Sequence, residues 1–304
     1  MAKQRARPTS TKARTRSQRP PRPKQQQTKN TSYKGRPRPW WSSPWLIAGT
    51  IGLLIVIVLG IALYSYVNSQ NQAPKVSGTT TSRVINLATH VPSSAYDEVP
   101  ALAPGAQTAS FQSTSATPAA GTQPYVLYIG AEYCPYCAAE RWALVAALSR
   151  FGNFSGLKLT DSSSTDVYPN TPTFTFLDSN YSSSYISFQS KEVEDRNQQP
   201  LQTLTPQQEQ LESKYNAQGS IPFILIDNRW VQVGPAYEPT SLDGKSWSQI
   251  ASDLSNPNAA STKAILGEAN IISAAICESN GGKPASVCQS SGVQAAMKQL
   301  PASK

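Results

Sequence analysis

A chain of 304 residues has room for one large domain or two small ones. Its net charge of +9 misleads as a total: residues 1–39 hold 13 of the 27 Lys/Arg and no acid, leaving 14 basic against 18 acidic side chains, a net of −4, to the rest. The body therefore carries no nucleic-acid footprint, and a single histidine, His90, excludes a His-rich metal site and any triad that needs several histidines.

Residues 1–39 are Arg, Lys, Gln, Pro, Ser and Thr with almost nothing apolar. They cannot bury enough surface to offset the entropy of ordering, so a disordered basic tail is expected, ending at residue 44. From Trp45 to Val67, 23 residues pass without a charge, and roughly 20 apolar residues span a bilayer as a helix. Trp40, Trp41 and Trp45 mark one interface, Tyr64 and Tyr66 the other. Basic residues precede this span and none follows until Lys75. The positive-inside rule then predicts a cytoplasmic N-terminus and everything after residue 68 outside the cytoplasm. A cleaved signal peptide is the competing reading. Its h-region runs about 7–15 residues, shorter than this one, and Val67-Asn68-Ser69 is a poor small-x-small cleavage site. A retained signal-anchor in the cell membrane is expected, with the tail against anionic lipid.

Residues 68–83 read as a tether, and Val84–Val99 is ambiguous, with Pro92-Ser93-Ser94 offering a short helix start. Ala101–Gln123 is rich in Ala, Ser, Thr, Pro and Gly and reads as a loop. Residues 68–123 together form an extracytoplasmic linker and N-terminal extension, and the domain proper occupies 124–300. A strand at Tyr125–Ile129 leads to a helix at Ala138–Phe151, with Gly152 as its C′ glycine. Leu157–Leu159, Thr173–Leu177 and Tyr185–Phe188 are strand candidates. Thr205-Pro206-x-Gln208 opens a helix with cap, N1 proline and capping-box glutamine, closing at Gly219. Strands follow at Phe223–Ile226 and Trp230–Val233 around an Asp227-Asn228 turn, then helices at Trp247–Leu254 and Ser261–Cys277. The mixture predicts an α/β domain.

Chemistry enters at Cys134-Pro135-Tyr136-Cys137, between the Tyr125–Ile129 strand and the following helix. A helix N-terminus leaves unpaired N–H groups and the positive dipole end beside the first sulfur, which favours an exposed thiolate there. The second cysteine, one turn on, is placed to resolve a mixed disulfide. The other candidate element is Ile221-Pro222-Phe223, a proline that begins an apolar strand. Proline inside an ordinary strand is disfavoured. One lacking N–H beside a reactive disulfide leaves a groove for an extended substrate. Cys134 and Cys137 are the candidate catalytic pair; Pro222, Ile221, Pro135 and Tyr136 are the candidate substrate contacts.

At these residues the chain resembles the thioredoxin superfamily, and the tetrapeptide is that of glutaredoxins. The run Tyr128 to Trp142, with Ala147-Leu148-Ser149-Arg150-Phe151-Gly152 and Ile221-Pro222-Phe223, is more closely similar to a membrane-anchored domain-of-unknown-function family, number 929, from about Val84 to Val293. The resemblance implies a thioredoxin-like domain and carries over Cys134, Cys137 and Pro222 as chemistry, with no established substrate. Two departures stand out. Tyr128 occupies the position where thioredoxins bury an Asp, and a neutral phenol cannot accept the Cys137 proton, so exchange is left to Glu132, Glu140 or water. Pro222 follows Cys137 by 85 residues, which implies an inserted strand pair around Asp161–Pro200, between the CxxC helix and the Pro222 strand.

The expected activity is thiol–disulfide exchange with envelope proteins, without a cofactor. Glu132 near the sulfur raises its pKa while Arg141 and the helix end lower it. The alternative is a non-catalytic binding module of the same fold, its CxxC an inert disulfide. Zinc is disfavoured because the second cysteine pair, Cys277/Cys288, is spaced by 11. That pair reads as a structural staple, with an electron shuttle to the CxxC as the sharper alternative. His90 reads as a surface or packing residue, Trp142, Val145 and Leu148 as core.

Overall fold

The computed structural model describes residues 44–70, 76–99, 111–115 and 123–302. The disorder expected of residues 1–39 concerns residues outside this set. Helix α1 (Pro44–Gln70) is unbroken over 27 residues, longer at both ends than the apolar run that predicts it. Its segment Ala48–Tyr66 is long and apolar enough to cross a membrane, and none of it is buried. At about 1.5 Å per residue this segment is close to the hydrocarbon thickness of a bilayer, about 30 Å. Ile51, Leu53, Leu54, Ile55 and Val56 on successive faces are all exposed. A helix apolar all round has no polar face to turn to water, which is the pattern of a membrane span.

The remainder is a mixed α/β domain. Its first half holds α2 (Gly78–Thr89), α3 (Ser93–Glu98), β1 (Gln112–Ser113), β2 (Tyr125–Gly130), α4 (Pro135–Leu148), β3 (Gly152–Ser155), β4 (Lys158–Asp161), β5 (Pro172–Thr175) and β6 (Asn180–Ser183). Then come β7 (Ser187–Glu192), α5 (Pro206–Tyr215), β8 (Phe223–Ile226), β9 (Trp230–Val233), α6 (Trp247–Asp253), α7 (Ala260–Ser279), α8 (Ala285–Cys288) and α9 (Ser291–Met297). Five strands form one sheet in the order β1-β9-β8-β2-β7, with β2 and β7 parallel and the other pairs antiparallel. β2 is paired on both edges and covered on both faces, so it reads as a continuous apolar run. Val126, Tyr128, Ile224, Ile226 and Trp230 face the larger core, with α4 and α7; Leu127, Ile129, Phe223, Leu225 and Val231 pack with Leu211 and Tyr215 of α5.

α4 is buried from Cys137 to Leu148. Five alanines, at 138, 139, 143, 146 and 147, keep its girth small between sheet and neighbours. The stretch read as tether and ambiguous segment contains α2 and α3, whose Val84, Ala88, Ala95 and Tyr96 lie in the main core. Tyr96 Oη donates to the Ala146 carbonyl at 2.9 Å, and Asn270 Nδ2 donates to the Tyr96 carbonyl at 2.9 Å, tying α3 to α4 and α7. The predicted Ala101–Gln123 loop includes β1, which pairs with the far edge of the sheet.

The segment between α4 and β7 differs from the expected single inserted strand pair. It comprises two ladders, β3 with β6 and β4 with β5, the second nested inside the first. Residues 187–192, read as part of it, are β7 of the central sheet. β5 anchors this segment on α4: Trp142 Nε1 donates to the Pro172 carbonyl at 2.8 Å, and Thr173 Oγ1 to the Ala138 carbonyl at 2.7 Å. Gly152 is not a helix-ending C′ residue. α4 ends at Leu148 and Gly152 opens β3, where a Cβ would collide with the Ser182 carbonyl across the ladder.

Candidate active site

Cys134 is the N-cap of α4, with extended backbone at φ −75° and ψ 120°, and Pro135 takes the first helical position. Proline lacks an N–H that would go unsatisfied there anyway, so the tetrapeptide starts the helix by its own chemistry. The Cys134 sulfur accepts the Cys137 backbone N–H at 3.2 Å. Contact with the Cys137 side chain is the largest influence lowering the Cys134 pKa; burial opposes it, and the N–H groups of Cys137 and Tyr136 and the Arg141 charge assist. Cys137 is the reverse case: burial pushes its thiol well up, and the Cys134 sulfur adds to that. Both are free thiols.

The exposed sulfur expected at the helix mouth is corrected by the structure. Cys134 is only 5% accessible and Cys137 fully buried. The connection between β4 and β5 docks on the motif's turn, with Ser163 N–H on the Tyr133 carbonyl at 2.9 Å and the Tyr168 ring edge-on to half-buried Tyr136 at 5.8 Å. Pro222 precedes β8, and the Ile221–Pro222 peptide is cis. Because Ile129 pairs with Phe223 in the β2–β8 register, Pro222 sits beside Gly130, at the end of β2 that runs into the CxxC turn. Pro135 and Pro222 are buried, Ile221 half-buried.

Around this turn the tertiary structure assembles charges that lie far apart in the chain. Arg141, one turn beyond Cys137, is fully buried and grips Glu192 at the end of β7 through Nε–Oε1 at 2.9 Å and Nη2–Oε2 at 2.7 Å. Nη2 also donates to the Ala131 carbonyl at 2.7 Å. Burial is the largest influence and opposes the Arg141 charge, but Glu192, by charge and hydrogen bond, together with Tyr128 and Cys137 outweighs it and holds the guanidinium charged. Glu132 is half-buried and raised by burial, with the Thr175 hydroxyl pulling the other way. Glu140 is pushed up to about 7 by burial, moderated by the Ala236 N–H and Gln232. Glu268 of α7 is pushed well up by burial and then by Glu140. Sequence reasoning missed Glu192, Gln232 and Glu268, since nothing local marks a residue 51 positions away as the partner of Arg141. His90 is exposed at the end of α2. Among the described residues no group of three or more His, Cys, Asp or Glu is arranged to hold a metal ion.

The profile of one protein family, described as domain of unknown function (DUF929), matches residues 109–278. The chain belongs to this family. No curated protein and no solved structure matches it. The DUF929 match takes in β1 through nearly all of α7, so the CxxC turn, Pro222, Arg141, Glu192, Gln232 and Glu268 all lie inside it. Cys277 falls inside as well, whereas its disulfide partner Cys288 lies beyond.

Proposed function

We propose that this DUF929 chain is a membrane-anchored thiol–disulfide oxidoreductase working outside the cytoplasm on cysteines of envelope proteins. The observation that carries the reading is the asymmetry of two free thiols on one helix turn: the Cys134 sulfur sits at the cap and accepts the Cys137 N–H at 3.2 Å, whereas Cys137 is fully buried behind it. A nucleophile poised as thiolate and a sheltered resolver are what two-step exchange requires. The chain path supports a thioredoxin-like core. β2, α4, β7, α5, β8, β9 and α7 follow in sequence, the strands order β9-β8-β2-β7, and Pro222 leads into β8 beside the CxxC turn.

Cys134 thiolate attacks one sulfur of a partner disulfide, forming a mixed disulfide and releasing the other sulfur as a thiolate that takes up a proton. Cys137 then attacks the Cys134 sulfur, forms the Cys134–Cys137 disulfide and releases the second partner thiol. The partner gains two electrons and two protons; the motif loses two electrons and the Cys137 proton, and solvent supplies the second proton, the one Cys134 had given up on ionising. Run backward, the same steps oxidise a partner dithiol. Half-buried Ile221 and Tyr136 are the part of the expected substrate surface open to a partner segment, and buried Pro222 and Pro135 shape it from beneath. The Cys277–Cys288 disulfide, with both residues 2% exposed, reads as a staple rather than a shuttle. The basic tail sets the N-in orientation and rests on anionic lipid, with nucleic acid disfavoured.

The near-burial of Cys134 favours a second reading, a binding module of the same fold that docks partners without exchange. One experiment separates the two. Expressed in its native cell, the Cys137→Ala chain accumulates partner proteins joined to Cys134 through reducible bonds if it exchanges disulfides. Absence of such adducts, with Cys134→Ser harmless in oxidative refolding, sinks the enzymatic reading.

A further inference from the structure

The resolving cysteine faces a specific difficulty. Its thiol is fully buried, and ionising it there is costly unless donors receive the charge. Three groups converge on the end of β2, where Cys137 lies. The Ala131 N–H acts on the Cys137 thiol in the direction opposite to burial, favouring its ionised form. Tyr128, on the same strand face as Gly130, folds back so that its hydroxyl covers the Gly130 Cα, where any Cβ would collide with it. Arg141 reaches the adjacent Ala131 carbonyl with Nη2. Among the described residues, the Tyr128 hydroxyl and the Arg141 Nη1 are buried without a hydrogen-bond partner. Tyr128, Arg141 and Cys137 lie within electrostatic reach of one another.

Two unpartnered buried donors against one buried thiol are costly as mere structure, since an orphaned polar group keeps its full desolvation penalty. Neither donates to any acceptor, the Cys137 sulfur included, while that sulfur is a thiol; the negative charge of a thiolate there would draw both donors toward it. Resting on the exchange reading above, we infer that Tyr128 Oη–H and Arg141 Nη1–H form, with the Ala131 N–H, a receiving pocket for the Cys137 thiolate in the resolving step. In that step the Cys137 S–H bond breaks and its proton ends on the departing partner thiolate. The Cys137 sulfur bonds to the Cys134 sulfur, and the Cys134–partner bond breaks with its electron pair on the partner. Glu192 fixes the Arg141 fork from β7, Cys134 faces Cys137 from the cap, and Glu140 adjoins it on α4, one turn on. Tyr128 supplies a donor where a carboxylate would supply a base.

The test uses the full-length chain in detergent with glutathione disulfide as the probe, following the Cys134–glutathione adduct by acid quench and mass spectrometry. A hydrogen bond to a charged group of this kind implies about tenfold slower resolution in Tyr128→Phe at neutral pH. The rate should rise at higher pH than in the wild type, the two converging once Cys137 is ionised in both. Tyr128→Phe removes an unpartnered hydroxyl, so its stability is expected unchanged or higher. Arg141→Lys, which keeps the charge against Glu192 and gives up Nη1, should move the pH profile the same way. Identical rates and an unmoved profile in Tyr128→Phe overturn the pocket alone. A wild-type chain that forms no Cys134 adduct overturns the exchange reading and the pocket with it.

Discussion

Arg141 and Glu192, 51 residues apart, form a two-armed ion pair that is completely excluded from solvent. It joins the helix that carries the CxxC to the end of the parallel strand beside it. Removing one member of such a pair leaves an uncompensated buried charge, at a cost of about 3–5 kcal/mol. Glu192→Ala should therefore lower the urea midpoint of the domain sharply. Asp178→Ala, which breaks the exposed Lys158–Asp178 pair at 3.1 Å, should change stability by less than about 1 kcal/mol. Equal effects would mean that Arg141 finds other compensation.

The two thiols should differ in reactivity in the folded chain. Cys134 is lowered by its contacts with Cys137, and Cys137 is raised by burial. Iodoacetamide at pH 7 is expected to label Cys134 at least about tenfold faster than Cys137, the ratio collapsing after denaturation. Peptide mapping by mass spectrometry reads both rates. Comparable labelling in the folded state would remove the asymmetry on which the proposed exchange depends.

Glu140 and Glu268 make stability pH-dependent in a definite direction. Both carboxyls are raised on folding, Glu140 from 4.5 to about 7 by burial, and Glu268 well above 4.5 by burial and Glu140. The folded chain thus keeps protons that the unfolded chain has lost, so the linkage slope of stability against pH is negative. The contribution is fully present below pH 4.5 and is lost as pH rises through about 7. Melting temperatures at pH 4.5, 6 and 8 should fall by several degrees across the series. Glu268→Gln, which has no proton to lose, should flatten that fall; an unchanged slope would show that the pair does not titrate on unfolding.

The Cys277–Cys288 disulfide closes a loop of 11 residues between α7 and α8. Short loops of this kind contribute about 3 kcal/mol in the chain-entropy model. The Cys277→Ser/Cys288→Ser double variant should lose stability of that order in urea unfolding while Cys134 labelling stays unchanged. A labelling rate that follows the redox state of this pair would instead make it a shuttle.

Elements that obey rules spanning a few residues were legible from the chain alone. Proline after Cys134 starts α4, Thr205 and Gln208 form both arms of the capping box that opens α5, and the uncharged run becomes α1. Each depends on backbone donors and side chains within four residues, or on composition over one helix length. The short strands were harder. Thr173–Leu177 overlaps β5 and Tyr185–Phe188 only the first two residues of β7, and their partners, hence which strand joins the main sheet and which a separate ladder, are not local properties. Gly152 looked like a helix stop because glycine suits that place, but it answers to the close approach of β6 across the ladder.

Chemistry divides the same way. The sequence by itself determined that two cysteines stand one turn apart at a helix mouth behind an apolar strand, because spacing and capping are written in adjacent residues. Only the tertiary structure decided that Cys134 is nearly covered, that Arg141 meets Glu192, that Glu140 and Glu268 act on each other, and that Tyr128 turns its hydroxyl over Gly130. Those facts depend on which strands pair and which helix lies across them. Desolvation and Coulomb forces then act between groups that the chain holds tens of residues apart.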